Sequence, residues 1–115
     1  MSQTPAVYAV DKSLPQSLCA FTQLNCCKAY STGLYVPPTP EEIAQLIKLA
    51  RWSQNDVAKL VGVSYNKKGS TTVRKWKTAM ENVESRTIPY STWRLLLACA
   101  GVINVDDDVS SLRQS

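Results

Sequence analysis

Residues 53–76, which read SQNDVAKLVGVSYNKKGSTTVRKW, decide the fold. The stretch opens on a helix start, because Ser53 suits an N-cap and Asp56 supplies the acidic third position of a capping box. Four apolar residues follow at helical spacing: Val57, Ala58, Leu60 and Val61. Gly62 suits the left-handed residue that ends a helix. The pattern predicts a short amphipathic helix that ends in a turn.

The second half of the stretch predicts another short helix. Ser70 is its expected N-cap, and Val73 and Trp76 form its inner face. Between Val57 and Met80 the chain has no acidic residue and six cations: Lys59, Lys67, Lys68, Arg74, Lys75 and Lys77. Such a cluster, in a chain of net charge +4, is typical of a surface that meets a polyanion.

The rest of the chain predicts three more helices. One amphipathic helix is expected from Ser13 to about Tyr30, followed by a Pro-rich connector over residues 34–38. A second helix begins at Thr39, where the sequence Thr-Pro-Glu-Glu combines an N-cap, a first-turn proline and a capping-box glutamate. A third is expected over residues 91–100. The tryptophans have helical spacing with aliphatic residues and are interpreted as core: Trp52, Trp76 and Trp93.

The expected fold class is all-α, a compact bundle of about five helices that contains a helix-turn-helix and carries an N-terminal helical arm. Residues 1–38 are expected to form the arm, with one helix and the Pro-rich connector. Residues 39–103 are expected to form the compact helix-turn-helix domain. Residues 104–115 are expected to be a flexible acidic and polar tail, with Asp106 to Asp108 solvated.

Composition argues against several function classes. The chain has no histidine, which excludes serine or cysteine nucleophiles paired with histidine. No glycine-rich phosphate loop or metal-ligand spacing appears, so neither an enzyme nor a cofactor is expected. Zinc is disfavoured because Cys26 and Cys27 are adjacent, and both are expected to be reduced, like Cys19 and Cys99. The longest apolar run, Leu95 to Ile103, is too short to span a bilayer, so a cytoplasmic protein is expected.

The deciding stretch resembles the Cro/phage-repressor (Xre-type) family. Residues 53–64 are similar to that family's first motif helix and turn, Val73 to Trp76 to the end of its recognition helix, and residues 88–102 to its following leucine-rich helix. The resemblance implies a helix-turn-helix whose second helix enters the major groove of DNA. The connection is longer than in that family, so residues 65–69 are interpreted as a five-residue insert.

The resemblance and the charges together predict two sets of DNA contacts. Base edges are assigned to Ser70, Thr71, Arg74, Lys75 and Thr78. Phosphates are assigned to Gln54, Asn66, Lys67, Lys68 and Lys77. An arginine suits bidentate contact with guanine, whereas insert lysines fix register without reading sequence. Two alternatives stay open: the insert is only a solvated loop, or Arg74 and Lys75 touch phosphates alone.

These features lead to two functional hypotheses. The first is a sequence-specific double-stranded DNA-binding transcriptional regulator, a repressor of phage or plasmid type that binds a palindromic operator as a homodimer. The 91–103 helix is favoured over the 13–30 helix as the dimer surface. The second is a protein-interaction module, antitoxin-like or inhibitory, because residues 1–38 exceed what DNA binding requires. Neither hypothesis involves a membrane or a small-molecule substrate.

Overall fold

Six α-helices and two short 3-10 turns form the part of the chain that the computed structural model describes, residues 14–113. In chain order they are α1 (Leu18–Phe21), the 3-10 turns Asn25–Cys27 and Tyr30–Thr32, α2 (Pro40–Leu49), α3 (Gln54–Val61), α4 (Thr71–Trp76), α5 (Tyr90–Cys99) and α6 (Val105–Leu112). Over these residues there is no strand, only an isolated bridge between Asn66 and Gly69. The all-α prediction is confirmed.

Two of the predicted helix starts form complete capping boxes. At α2, Thr39 Oγ1 accepts from the Glu42 N–H at 3.1 Å and the Glu42 carboxylate accepts from the Thr39 N–H at 2.8 Å. At α3, Ser53 and Asp56 make the same pair of bonds at 3.0 and 2.9 Å. These bonds satisfy amide donors that the first helical turn leaves without partners. Gly62, with φ +81°, ends α3 as predicted.

A single apolar core joins the inner faces of the helices. α3 packs against both α4 and α5, and the buried side chains from α2 to α5 include Ile43, Leu46, Val57, Val73, Trp76, Trp93 and Leu97. Trp52 is partly buried against this core. The interpretation of the three tryptophans as core residues is therefore confirmed.

The segment before α2 departs from the prediction of one helix from Ser13 to about Tyr30; Ser13 and the start of the predicted arm, residues 1–12, lie outside the described residues. α1 has only four residues, from Leu18 to Phe21, and the chain then bends through the two 3-10 turns. The bends bury Phe21, Cys26 and Cys27 in the core shared with α2–α5. A straight helix of this length could not place these three side chains in one core, so long-range packing overrides the local helical pattern.

The acidic segment near the C-terminus, residues 104–115, is predicted to be a flexible tail, and this prediction is wrong for the residues that the structure describes there, 104–113. It forms α6, which begins where Asn104 Oδ1 accepts from the Asp106 N–H at 2.9 Å. Three aspartates in its first turn lie at the positive end of the helix dipole. Asp108 forms an ion pair with the buried Arg94 of α5, which ties α6 to the bundle. Within residues 14–113, no helix is long and apolar enough to cross a membrane.

Candidate nucleic-acid interface

The insert between α3 and α4 forms a tight turn. Asn66 and Gly69 exchange two backbone hydrogen bonds, at 2.8 and 3.0 Å, and this places Lys67 and Lys68 at the tip. The side chain of Asn66 also accepts from the Lys68 N–H at 2.8 Å. Gly69 has φ +129°, a conformation that favours glycine. The insert therefore presents two exposed lysines on a defined turn.

The first turn of α3 holds this insert in place. Asn55 Nδ2 donates to the Asn66 carbonyl at 2.9 Å, and Gln54 Oε1 accepts from the Ser70 N–H at 2.7 Å. Gly69 lies so close that a Cβ there would be 2.3 Å from Gln54 Oε1. The sequence pattern did not identify Asn55 as a contact to the insert, because nothing in its local spacing indicates a partner eleven residues away.

Ser70 was assigned to a base edge, and the structure contradicts this assignment. The residue is only 2% exposed, its hydroxyl donates to the Ser64 carbonyl at 2.8 Å, and Oγ accepts from the Val73 N–H at 3.3 Å. Its side chain is engaged in capping α4 and joining it to the end of the preceding turn. Ser70 positions the helix and does not present its hydroxyl to DNA.

Gln54 lies at the start of α3 as expected, but only part of its side chain is available for the predicted phosphate contact. Its carbonyl oxygen is engaged by Ser70, so its amide nitrogen is the group left to donate to an anion. Gln54 lines a polar cavity of about 250 Å³ together with Lys68, Thr71 and Arg74. Asn66 and Ser70 also line it, so the structure brings six of the predicted contact residues around one concavity at the start of α4.

The outer face of α4 presents Thr71 and Arg74 to solvent. The Arg74 side chain is 51% exposed and lies 3.7 Å from the carboxylate of Glu84. An exposed pair of this kind contributes about 0–1 kcal/mol, so it restrains the guanidinium only weakly. Sequence reasoning missed Glu84, because this residue lies in the loop after α4 and only the fold returns it to Arg74.

The remaining predicted contacts are distributed around this face. Asn66, Lys67 and Lys68 are exposed on the insert, whereas Lys75, Lys77 and Thr78 are half-buried at the end of α4. The Thr78 hydroxyl donates to the Arg74 carbonyl at 2.8 Å. Thr78 thus closes the end of α4, and its availability to a base is lower than that of Thr71.

Two charged side chains of α3, Asp56 and Lys59, make local contacts. The pKa of Asp56 is lowered chiefly because its carboxylate accepts from the Ser53 backbone, and then through the Ser53 side chain, while desolvation opposes the shift. Lys59 lies over the ring of Tyr65, 5.5 Å from its centre. Tyr65 remains half exposed at the start of the insert, so this cation–π contact lies at the surface.

Comparison with known proteins gives no relative from which a function can be transferred. No protein-family model, curated protein or solved structure matches the chain. Across the described residues, no group of three or more cysteine, aspartate or glutamate side chains could hold a metal ion. The chemistry that the site itself presents is an exposed polar and cationic face built on α3, the insert and α4.

Proposed function

We propose that the protein is a sequence-specific double-stranded DNA-binding transcriptional regulator, a repressor without enzymatic activity that works at the nucleoid in the cytoplasm. The observation that carries the proposal is the display of Thr71 and Arg74 on one face of α4 beside the Lys67–Lys68 turn. The opposite face of α4 is fixed in the core by Val73 and Trp76. A short helix held in this way is suited to the major groove.

The two parts of this face have different expected roles. The fork of Arg74 can bind O6 and N7 of a guanine, and Thr71 can contact a base edge or a thymine methyl group. Lys67 and Lys68 lie on a turn beside the start of α4, where they can neutralise phosphates and fix the register of the helix. The resemblance of residues 53–64 to Cro/phage repressors supports the same docking, with α3 against the backbone.

We include a homodimer in the proposal, because two short recognition helices on a palindromic operator double the number of base contacts. The 91–103 helix, which the sequence favours as the dimer surface, packs Trp93, Leu96 and Leu97 into the core of its own protomer. These side chains are therefore not available for contact with a second copy of the chain. Exposed apolar side chains on α6, Val105 and Val109, support a dimer surface there instead.

A protein-interaction module is the second candidate function. The same exposed valines of α6 favour it, because an apolar helix face can bind a different protein as well as a second copy of the chain. In this case the cationic face of α3 and α4 would have no base-reading role, and any binding to duplex DNA would be independent of sequence.

Fluorescence anisotropy with labelled duplexes tests the proposal. The DNA flanking the protein's own gene is compared with a shuffled duplex of equal length and composition, across a series of salt concentrations. We expect the logarithm of the binding constant to fall linearly with the logarithm of the salt concentration, and the affinity to be about 10³-fold or more higher for the operator. Equal affinity for both duplexes would favour the interaction module. Absence of salt-dependent binding at low micromolar protein would contradict both sequence-specific and sequence-independent binding to DNA.

A further inference from the structure

A pair of neighbouring thiols lies outside the DNA-binding face. Cys26 and Cys27 share the 3-10 turn Asn25–Cys27 and are 3% and 8% exposed, whereas Cys19 and Cys99 lie at the surface. All four cysteines are free. The two buried side chains therefore form a distinct dithiol within the core.

The backbone of this pair is fixed by α5. Trp93 Nε1 donates to the Cys26 carbonyl at 2.9 Å, and Arg94 Nη1 donates to the Cys27 carbonyl at 2.8 Å. Both bonds join residues 67 positions apart in the chain. A turn held at successive carbonyls keeps the two thiols together and reduces the entropy lost when they bind one ligand.

The two thiols also differ in proton affinity. A hydrogen bond with the Cys27 side chain, followed by burial, raises the pKa of the Cys26 thiol. The same hydrogen bond lowers the pKa of Cys27, with the charges of Arg94 and Lys28 acting in the same direction and burial and Glu42 opposing. Cys27 is therefore the better nucleophile, since the thiolate is the reactive form.

Access to the pair is provided by a cavity at Cys27. This cavity, of about 380 Å³, is lined by Cys27 and by Thr22, Lys28, Arg94, Val102 and Asp108, among others. It lies where the N-terminal turns meet α5 and α6. A small electrophile with an apolar substituent can approach Cys27 there without passing through the core.

We propose that Cys26 and Cys27 form a binding site for one trivalent organoarsenical. A zinc site needs about four ligands, whereas no third cysteine or acidic ligand joins this pair in the described residues. A trivalent arsenic that carries one carbon substituent needs two sulfur ligands, which is what the pair supplies, and thiolates favour such soft centres.

The binding reaction balances without an oxidant. With phenylarsine oxide, the Cys27 sulfur attacks arsenic first and the Cys26 sulfur follows. Two arsenic–sulfur bonds form, the bond between arsenic and oxygen is lost, and the two thiol protons leave on that oxygen as water. Arsenic stays trivalent and keeps its phenyl group, so one phenylarsenic group replaces two protons in the product.

The test uses the full chain carrying Cys19→Ser and Cys99→Ser, so that only the proposed pair remains. One equivalent of phenylarsine oxide should add a single phenylarsenic group by intact-mass spectrometry and remove both remaining thiols in a colorimetric thiol assay. The adduct should survive excess monothiol and be reversed by a dithiol. Cys26→Ser or Cys27→Ser in this background should weaken binding about 100-fold, because chelation by two linked thiols is lost.

A site-specific readout keeps the proposal independent of whether these variants fold. The indole N–H of Trp93 reports on the Cys26 carbonyl, so its nuclear magnetic resonance signal, assigned with Trp93→Phe, should move on binding to protein that has both thiols. Three outcomes would overturn the proposal: no adduct unless the protein is first unfolded, loss of only one thiol per adduct, or equal affinity in the single-thiol variants. None of these readouts depends on DNA binding.

Discussion

Arg74 and Lys67 are the residues whose roles can be separated most directly. Arg74→Ala should weaken binding to the operator by about 1–3 kcal/mol and blur the preference at one base pair. Lys67→Ala, which also removes one positive charge, should weaken all duplexes alike and reduce the salt slope by roughly one. Anisotropy titrations of both variants on operator and shuffled DNA measure these effects. Equal losses of Arg74→Ala on the two duplexes would show that Arg74 contacts phosphates only.

Ser70 is the residue for which sequence reasoning failed most clearly. A serine at the start of a recognition helix suits both an N-cap and a base contact, so residue type alone could not decide between the roles. The Ser64 carbonyl decides it, because the insert brings that acceptor to 2.8 Å from the Ser70 hydroxyl. Arg74 and Thr71, in contrast, were placed correctly on the outer face by their spacing from Val73 and Trp76.

The capping role of Ser70 makes its replacement a stability experiment. Ser70→Ala should lower the free energy of unfolding by about 1–2 kcal/mol, because it removes the cap and leaves the Val73 N–H without an acceptor. Thr71→Ala is the matched control: Thr71 is the next residue and is exposed, so its effect should stay within about 0.5 kcal/mol. Urea unfolding followed by tryptophan fluorescence measures both. A similar, small effect of the two substitutions would contradict the structural assignment of Ser70.

Among the elements, α2, α3, α4 and α5 are predicted from sequence because local signals define them: N-caps, two of them in capping boxes, and regular apolar spacing. A helix is also predicted over residues 13–30, but only the short α1 forms there, and α6 is not predicted. α6 depends on the contact between Asp108 and Arg94 of α5 and on packing against the Tyr30–Thr32 turn. Local periodicity carries no information about such contacts, so an acidic segment rich in serine was interpreted as a flexible tail.

The tie between α5 and α6 can be tested at Asp108. Asp108→Ala should destabilise the protein by about 3 kcal/mol, because it leaves the charge of Arg94, whose side chain is 8% exposed, without its carboxylate. Asp107→Ala, at the neighbouring exposed position, removes the same charge from the same helix turn and should change stability by about 0.5 kcal/mol or less. Thermal unfolding of the two variants compares them. Equal destabilisation would assign the effect to the helix dipole and not to the ion pair.

The dimer surface proposed for α6 can be tested at Val109. Val109 is 53% exposed, so Val109→Asp should leave folding intact while it weakens self-association and binding to the palindrome. Val83→Asp places the same charge on a more exposed valine in the loop after α4 and serves as the control. Sedimentation equilibrium measures association, and an unchanged dimer in Val109→Asp would remove α6 from the interface.

For the molecule as a whole, the helical bundle was predictable but the extent of its core was not. The sequence predicts an arm over residues 1–38, because the prolines at 37, 38 and 40 separate them from the next helix, and the structure describes residues 14–38 of it. In the structure Phe21 is fully buried in the common core, and the carbonyls of Cys26 and Cys27 accept from Trp93 and Arg94. These contacts join distant parts of the chain, and helical spacing within residues 13–30 could not indicate them.

A core that includes residues 14–38 predicts that the bundle cannot fold without them. A fragment of residues 39–115 lacks Phe21 and leaves the donors of Trp93 and Arg94 without their carbonyl acceptors, a loss of about 1–3 kcal/mol for each donor. Since such domains are stable by only about 5–15 kcal/mol, the fragment should be largely unfolded by circular dichroism. In the full chain, Phe21→Ala should cost about 3–5 kcal/mol, whereas Leu34→Ala, at an exposed position, should have little effect. A fragment that unfolds cooperatively at the temperature of the full chain would show that residues 1–38 are an independent arm after all.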